Sequence, residues 1–329
     1  MIGTTLTTCL FQHSRSTTVI TTLSYSTTQH SVWVLIAPMA QTTSFALITG
    51  CSSGIGKALA VAFADQGVTV LATARRVEYL KELTREHENI EAFELELSSS
   101  ESIAKLKDAV SERTGGRLDF LVNNAGTHYA STAMDLEIEE VEKLFQVNVF
   151  AVMRLCQIFI PLLRNSSRGR IVQLGSVTRN VPMVWQAPYN ASKAALSQYS
   201  NTLRLEVKPF GIEVIELVTG FVQSNILHHG MYAPETSLYL PLKKTIEDIK
   251  YEGNANGMPA DAYARSVVAK LVKPRVSAEI WEGALARTLR LLVTILPPRL
   301  FNWFFYRRFK LGLLESRDGD KNKTRDRSC

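Results

Sequence analysis

From Ser44 onward, short apolar runs rich in β-branched residues alternate with longer stretches of helical period. Few folds accept that pattern. Residues 45–49, 68–73, 90–95, 118–122, 170–174 and 212–218 read as strands, and residues 54–66, 101–113, 138–163 and 187–208 read as helices between them. Consecutive parallel strands need a crossover, and the crossover helices then cover both faces of the sheet. The expectation is therefore a single-domain α/β fold, a Rossmann-type doubly wound parallel sheet with helices on both faces. Past Gly220 the pattern loosens. Residues 223–257 mix Gly, Pro, His and aromatic residues around a helix-like piece at 242–251, an insertion of the size that covers an active site. A helix at 259–272 and a last strand at 278–281 follow.

The first strand runs into Thr49-Gly50-Cys51-Ser52-Ser53-Gly54-Ile55-Gly56, and the next helix begins inside this turn. Glycines allow positive φ and close backbone approach, while free amides at a helix start attract a pyrophosphate. The same residues also fit G-x-S-x-G, the nucleophile elbow of a lipase, with Ser52 as nucleophile. At the end of the second strand stand Arg75 and Arg76. An acid there would bond the ribose hydroxyls. Two guanidiniums instead favour a 2′-phosphate, and so NADPH over NADH, with a solvated pair of side chains as the alternative reading.

Downstream, Tyr189 and Lys193 stand four apart in the helical stretch 187–208, which places phenol and ammonium on one face. A free phenol titrates near 10, and an adjacent cation favours phenolate, so the spacing predicts a phenol brought toward neutral pH. Taken alone, Y-x-x-x-K also fits a surface pair. Thirteen residues earlier Ser176 follows a strand and Gly175, at the carboxyl end where open α/β sheets bind ligands, placed to stabilise a developing oxyanion. Asn148 is a polar residue in an apolar helical run and must find partners. Asn123-Asn124-Ala125-Gly126 ends the strand at 118–122 and would bring its backbone near a cofactor.

These motifs, in this order, resemble the short-chain dehydrogenase/reductase family in its single-domain form, over residues 44–282. The resemblance implies that Tyr189 is the general acid of carbonyl reduction, that Ser176 orients the carbonyl, and that Lys193 holds the nicotinamide ribose. It implies that Asn148 supports a proton-passing water. The NADPH/NADP+ contacts it implies are Gly50, Ser52, Ser53, Gly54, Ile55, Gly56, Arg75, Arg76, Glu96, Asn123, Ala125, Gly126, Asn148, Tyr189, Lys193, Val222 and Ser224. Two departures stand out: Thr219-Gly220 replaces the usual Pro-Gly, and Glu96 replaces an Asp near the adenine. Arg75-Arg76, the stretch Pro234-Glu235-Thr236-Ser237-Leu238-Tyr239 and residues 258–264 are similar to fungal NADPH-dependent 1-acyldihydroxyacetone-phosphate reductases. Those enzymes work in lipid metabolism at the endoplasmic reticulum and lipid droplets. Relatives with the same pattern act on ketones or alcohols of secondary-metabolite biosynthesis, so both substrate classes stay open. Pairing through the helices at 138–163 and 187–208, as homodimer or homotetramer, is the family's habit.

The formal charge of +6 is unevenly placed. Residues 285–329 carry +7 and residues 1–38 carry +1, so subtraction leaves −2 for the body at 39–284. A near-neutral body argues against nucleic acid. Four scattered cysteines, with no C-x-x-C and no companion His, indicate no metal site and an intracellular location. Residues 285–314 mix aromatic and aliphatic residues with Arg and two prolines. No run reaches the roughly 20 apolar residues of a spanning helix, and the composition suits a peripheral membrane contact at the headgroup layer. The alternative is a helix packed on the body. Residues 1–38 hold ten Thr and five Ser without any acid. They read as a disordered extension or as a mis-assigned start, with Met39 opening the domain. For a phosphorylated substrate, His228, His229, Lys243 and Lys244 are the expected cations.

Overall fold

The computed structural model describes residues 4–13, 16–27, 30–35, 43–224 and 230–315. The chain divides into two units, the first ending at Thr43. Within that unit β1 (Thr4–His13), β2 (Ser16–Thr27) and β3 (His30–Leu35) form an antiparallel sheet in the order β1-β2-β3, with Thr4 opposite Tyr25 and His13 opposite Ser16. The sequence pattern gives these residues no regular element. Their threonines favour extended backbone, but without an apolar alternation nothing in the pattern announces a sheet. The expected boundary at 38/39 lies outside the described residues.

The second unit is a seven-stranded parallel sheet. Its strands are β4 (Phe45–Ile48), β5 (Thr69–Ala74), β6 (Ile90–Glu94), β7 (Phe120–Asn123), β8 (Arg170–Leu174), β9 (Glu213–Thr219) and β10 (Glu279–Glu282), ordered β10-β9-β8-β7-β4-β5-β6. Successive residues of a strand point to opposite faces. Accordingly Ala46 and Ile48 enter one core while Phe45 and Leu47 enter the other, and β7 divides in the same way, Phe120 and Val122 against Leu121. On the first face lie α1 (Gly54–Ala64), the short α2 (Lys81–Glu86) and α8 (Ala260–Leu271), which bury Leu59, Phe63, Leu83, Tyr263 and Val267. The second face takes α3 (Ser100–Thr114), α5 (Ala151–Arg164) and α6 (Ala187–Val207) through Leu106, Leu155, Phe159 and Leu196. From β4 the chain winds outward through β5 to β6, then returns to β7 on the opposite side. The two neighbouring strands β4 and β7 diverge in their connections here, and such a point opens a crevice above the carboxyl ends.

The stretch expected as one helix at 138–163 is α4 (Ile138–Phe145), a wider π-type turn at residues 146–150, and α5. By length and hydropathy Ile138–Arg164 would span a membrane, yet half of it is buried in the fold, so it serves as a core helix. Beyond β9, α7 (Lys243–Ala255) crosses the insertion, and α9 (Ala286–Ile295) and α10 (Pro298–Arg308) close the described chain. Phe301, Phe305 and Phe309 pack with Trp185, Val177, Ile246 and Trp281 into a third apolar cluster. The described part of the tail, to residue 315, therefore packs on the body.

Candidate active site

Local chain geometry builds the phosphate turn. Gly50 has φ +73° and Gly54 φ +56°, values in the left-handed region that glycine adopts without strain. A Cβ on Gly56 would collide with the Gly50 carbonyl oxygen and Asn124 Nδ2. Asn124 braces the turn from below: its Nδ2 donates to the carbonyls of Thr49 (2.8 Å) and Gly50 (3.2 Å), while its own amide donates to Thr49 Oγ1 at 3.0 Å. The Ala125 amide reaches the same hydroxyl at 2.9 Å. Ser53, at the cap of α1, makes no side-chain capping bond, and the first turn carries no acid. Amides at this helix start thus face outward, in a cradle that fits a pyrophosphate.

Ser176, Tyr189 and Lys193 line one cavity of about 620 Å³, together with Ile55, Asn124, Gly126, Val222 and Ser224. Ser176 Oγ accepts from Thr178 N at 3.1 Å and Thr178 Oγ1 at 3.0 Å, which fixes the turn after β8. Lys193 Nζ donates to the Leu174 carbonyl at 2.7 Å and stands 5.7 Å from the centre of the Tyr189 ring. Burial dominates both titrations. It pushes Tyr189 up to about 12, with a Ser176 hydrogen bond partly offsetting, and lowers Lys193 to about 8, opposed by the nearby Glu216 carboxylate. The expectation of a phenol acidified by Lys193 is corrected accordingly. The ammonium bonds a carbonyl, and desolvation of phenolate outweighs it. Tyr189 is held protonated in this state, the form that can donate.

Asn148 sits in the π-type turn, which turns it inward. Its Oδ1 accepts from Thr127 N at 2.9 Å, and its Nδ2 donates to Thr127 O at 3.0 Å and Ser192 Oγ at 3.2 Å. The amide thus clamps the loop after β7 to α6. Gly126 lies between, where an added Cβ would stand 3.3 Å from Asn148 Oδ1 and 4.0 Å from Lys193 Nζ.

Other expected contacts spread wider. Ser52, Ser53, Arg75 and Arg76 are exposed, and the Arg75 charge favours the nearby Glu96 carboxylate. Glu96 caps its own turn, accepting from Ser98 N (3.0 Å) and Ser98 Oγ (2.8 Å), bonds that hold its carboxyl below the usual range. Asn123 turns its side chain into the core, donating to Gln173 Oε1 at 3.0 Å and to Cys156 Sγ at 3.5 Å, so only its backbone can face a cofactor. Ser52 makes no side-chain hydrogen bond among the described residues. His128 bonds Gln186 at 2.9 Å and packs tilted against the Tyr189 ring, with ring centres 4.7 Å apart. The lipase reading therefore lacks a general base for Ser52 among the described residues, while His228 and His229 lie outside them.

Several residues escaped the sequence reading. Glu216, a carboxylate buried in β9, pairs with Arg179 and accepts from Ser197 Oγ at 2.9 Å, directly behind Gly175. Trp185 takes φ +65° just before α6, and its indole donates to Tyr232 O at 3.0 Å. Such a backbone outlier beside a cleft marks a constrained site. A Glu inside an apolar strand is the readable signal for Glu216. Thr219, which the sequence already shows in place of the family's Pro, shares a 2.7 Å hydrogen bond between its hydroxyl and that of Tyr263.

A model of short chain dehydrogenases matches residues 44–231. The chain belongs to the short-chain dehydrogenase family. This dehydrogenase is 40% identical over 280 residues to the short-chain dehydrogenase RED1 of Pyricularia oryzae, covering 84% of this chain and 98% of the relative. It is 37% identical over 274 residues to the NADPH-dependent 1-acyldihydroxyacetone phosphate reductase of Schizosaccharomyces pombe, covering 78% and 91%. Among solved structures it resembles a short-chain dehydrogenase from Streptomyces avermitilis at 27% identity, TM-score 0.67, over 88% of this chain and 98% of that one. An alcohol dehydrogenase from the archaeon Thermococcus sibiricus complexed with 5-hydroxy-NADP aligns at 25% identity, TM-score 0.62, over 74% and 97%.

Proposed function

We propose that this dehydrogenase reduces a ketone on a lipid-like substrate to a secondary alcohol with NADPH, its substrate being 1-acyldihydroxyacetone phosphate and its product 1-acylglycerol 3-phosphate. One observation carries the reading: Ser176, Tyr189 and Lys193 share a cavity that the tail also lines, through Leu289, Leu292, Phe304 and Phe309. An apolar lining of this kind suits an acyl chain. NADPH supplies the hydride. The Ser176 hydroxyl donates a hydrogen bond to the substrate carbonyl, Tyr189 gives its proton to the same oxygen, and the Lys193 charge steadies the phenolate left behind. Arg75 and Arg76, exposed just past the end of β5, would take the 2′-phosphate.

The same apolar wall accepts a hydrophobic ring ketone, which favours a second reading: a ketoreductase of secondary metabolism, in line with relatives named only as short-chain dehydrogenases. NADPH consumption with 1-acyldihydroxyacetone phosphate beside unphosphorylated acyl and ring ketones, with Tyr189→Phe as blank, separates the two. Activity confined to ring ketones would remove the first reading.

The tail also supports a peripheral membrane contact at the endoplasmic reticulum or lipid-droplet surface. Leu291, Ile295, Leu300 and Trp303 are exposed beside Arg287, Arg299 and Arg307, a mixture suited to anionic headgroups. Trp303 fluorescence should shift to the blue with anionic vesicles, and an unmoved spectrum would refute the contact. Exposed Phe150 and Leu205 support pairing of subunits through the helices around α5 and α6.

A further inference from the structure

Lys250 is 3% exposed, lies in α7 and lines the same cavity as Ser176, Tyr189 and Lys193. Its ammonium has no hydrogen-bond partner among the described residues. Long lysine side chains ordinarily carry the charge out to water, and a buried charge is ordinarily paired. Lys250 does neither. Glu247, one turn earlier, favours its charge from a distance, but the Glu247 carboxylate accepts from the Met231 amide at 3.3 Å. Glu252, the acid of the cavity wall, faces Arg308 of α10 at 3.7 Å. The wall therefore carries three cations, Lys193, Lys250 and Arg308, against one carboxylate that is already engaged. Burial lowers Lys250 to about 8, so its ammonium persists at pH 7.

We propose that Lys250 is a specificity-determining residue that takes an anionic group of the substrate, a phosphate monoester or a carboxylate, so that the preferred ketone is an anionic amphipath. The inference rests on the reading of this cavity as the substrate site and adds the residue that selects within it. A substrate anion would complete the unmatched ammonium in a charge-assisted hydrogen bond, while acyl carbons occupy the apolar wall. Of the cations expected from the sequence, Lys244 is exposed and paired with Asp248 at 3.2 Å, Lys243 is half-buried and does not line the cavity, and His228 and His229 lie outside the described residues. A ketone without an anion leaves the buried charge uncompensated and binds less tightly.

The test compares four ketones in wild type, Lys250→Met and Lys250→Arg: 1-acyldihydroxyacetone phosphate, its dephosphorylated form, a long-chain 3-oxo acid, and the methyl ester of that acid. Lys250→Met should raise KM for the anionic member of at least one pair tenfold or more, while the neutral members stay within about twofold. Lys250→Arg should keep the preference. The pair that responds tells phosphate from carboxylate. Equal losses on charged and neutral ketones, or an unchanged KM for both anions, would overturn the proposal. Dodecyl phosphate against dodecanol, titrated into the NADPH-loaded wild-type protein by calorimetry, reads the same site without a variant. Stronger binding of the phosphate is expected, and equal binding also overturns the idea. If no ketone is reduced, the reductase reading fails alone, because this titration still reports on Lys250.

Discussion

Gly175 packs against Glu216 so tightly that a Cβ on the glycine would stand 2.8 Å from Glu216 Cγ and collide with Oε1. The turn that presents Ser176 is thus set by a buried carboxylate that Arg179 and Ser197 hold in place. Gly175→Ala should push the turn off this support. Overpacking of this kind costs about 1–3 kcal/mol, and we expect a lower thermal midpoint together with at least a tenfold fall in kcat, read by melting curves and NADPH oxidation.

Tyr189→Phe removes the proton donor and leaves the ring packed on His128. We expect kcat to fall by roughly 10²–10⁴ with NADPH affinity unchanged in fluorescence titration. A fall in affinity of the same size would place the phenol in cofactor binding instead.

Gly56→Ala forces a methyl into the Gly50 carbonyl and the Asn124 amide. The phosphate turn must open, so NADPH binding should weaken at least tenfold, while a substitution at exposed Gly67, where nothing lies within 4 Å but φ is +75°, should leave binding intact and cost only stability.

Burial lowers Lys193 to about 8 from 10.5. Below pH 8 both folded and unfolded chains carry the charge, and the folded one bears the cost of burying it. Between 8 and 10.5 the unfolded chain holds more protons, so this group's contribution to stability rises with pH. Lys193→Met should therefore gain most over wild type near pH 7, by up to about 3 kcal/mol less its lost hydrogen bond, and the gain should vanish above pH 10.5. Denaturant titrations at pH 7, 9 and 10.5 measure it.

Arg75→Ala with Arg76→Ala removes the cations at the end of β5. KM for NADPH should rise at least tenfold while KM for NADH stays within about twofold, measured with one ketone. Equal changes would assign these side chains to solvent.

Local patterns made much of the site legible. The glycine spacing at 50, 54 and 56, the four-residue interval from Tyr189 to Lys193, and the strand before Ser176 all act within a few residues of chain, where backbone sterics and helical period apply directly. The π-type turn at 146–150 interrupts a helix whose composition announces no break, so Asn148 was legible as an oddity and its clamp on Thr127 was not. Likewise the titration of Tyr189 depends on how deeply it is buried, which no spacing reveals.

By itself the sequence determined the alternation of strands and helices, and with it the parallel sheet, the glycine-rich turn and the placing of Tyr189 and Lys193 on one helix face, because these follow from periodicity and local geometry. Only the tertiary structure decided that α9 and α10 wall the cavity, that Glu216 stands behind Gly175, and that Lys250 is buried with no partner among the described residues. Each of those facts joins residues far apart in the chain, and the desolvation that gives them their chemistry exists only once the chain has packed.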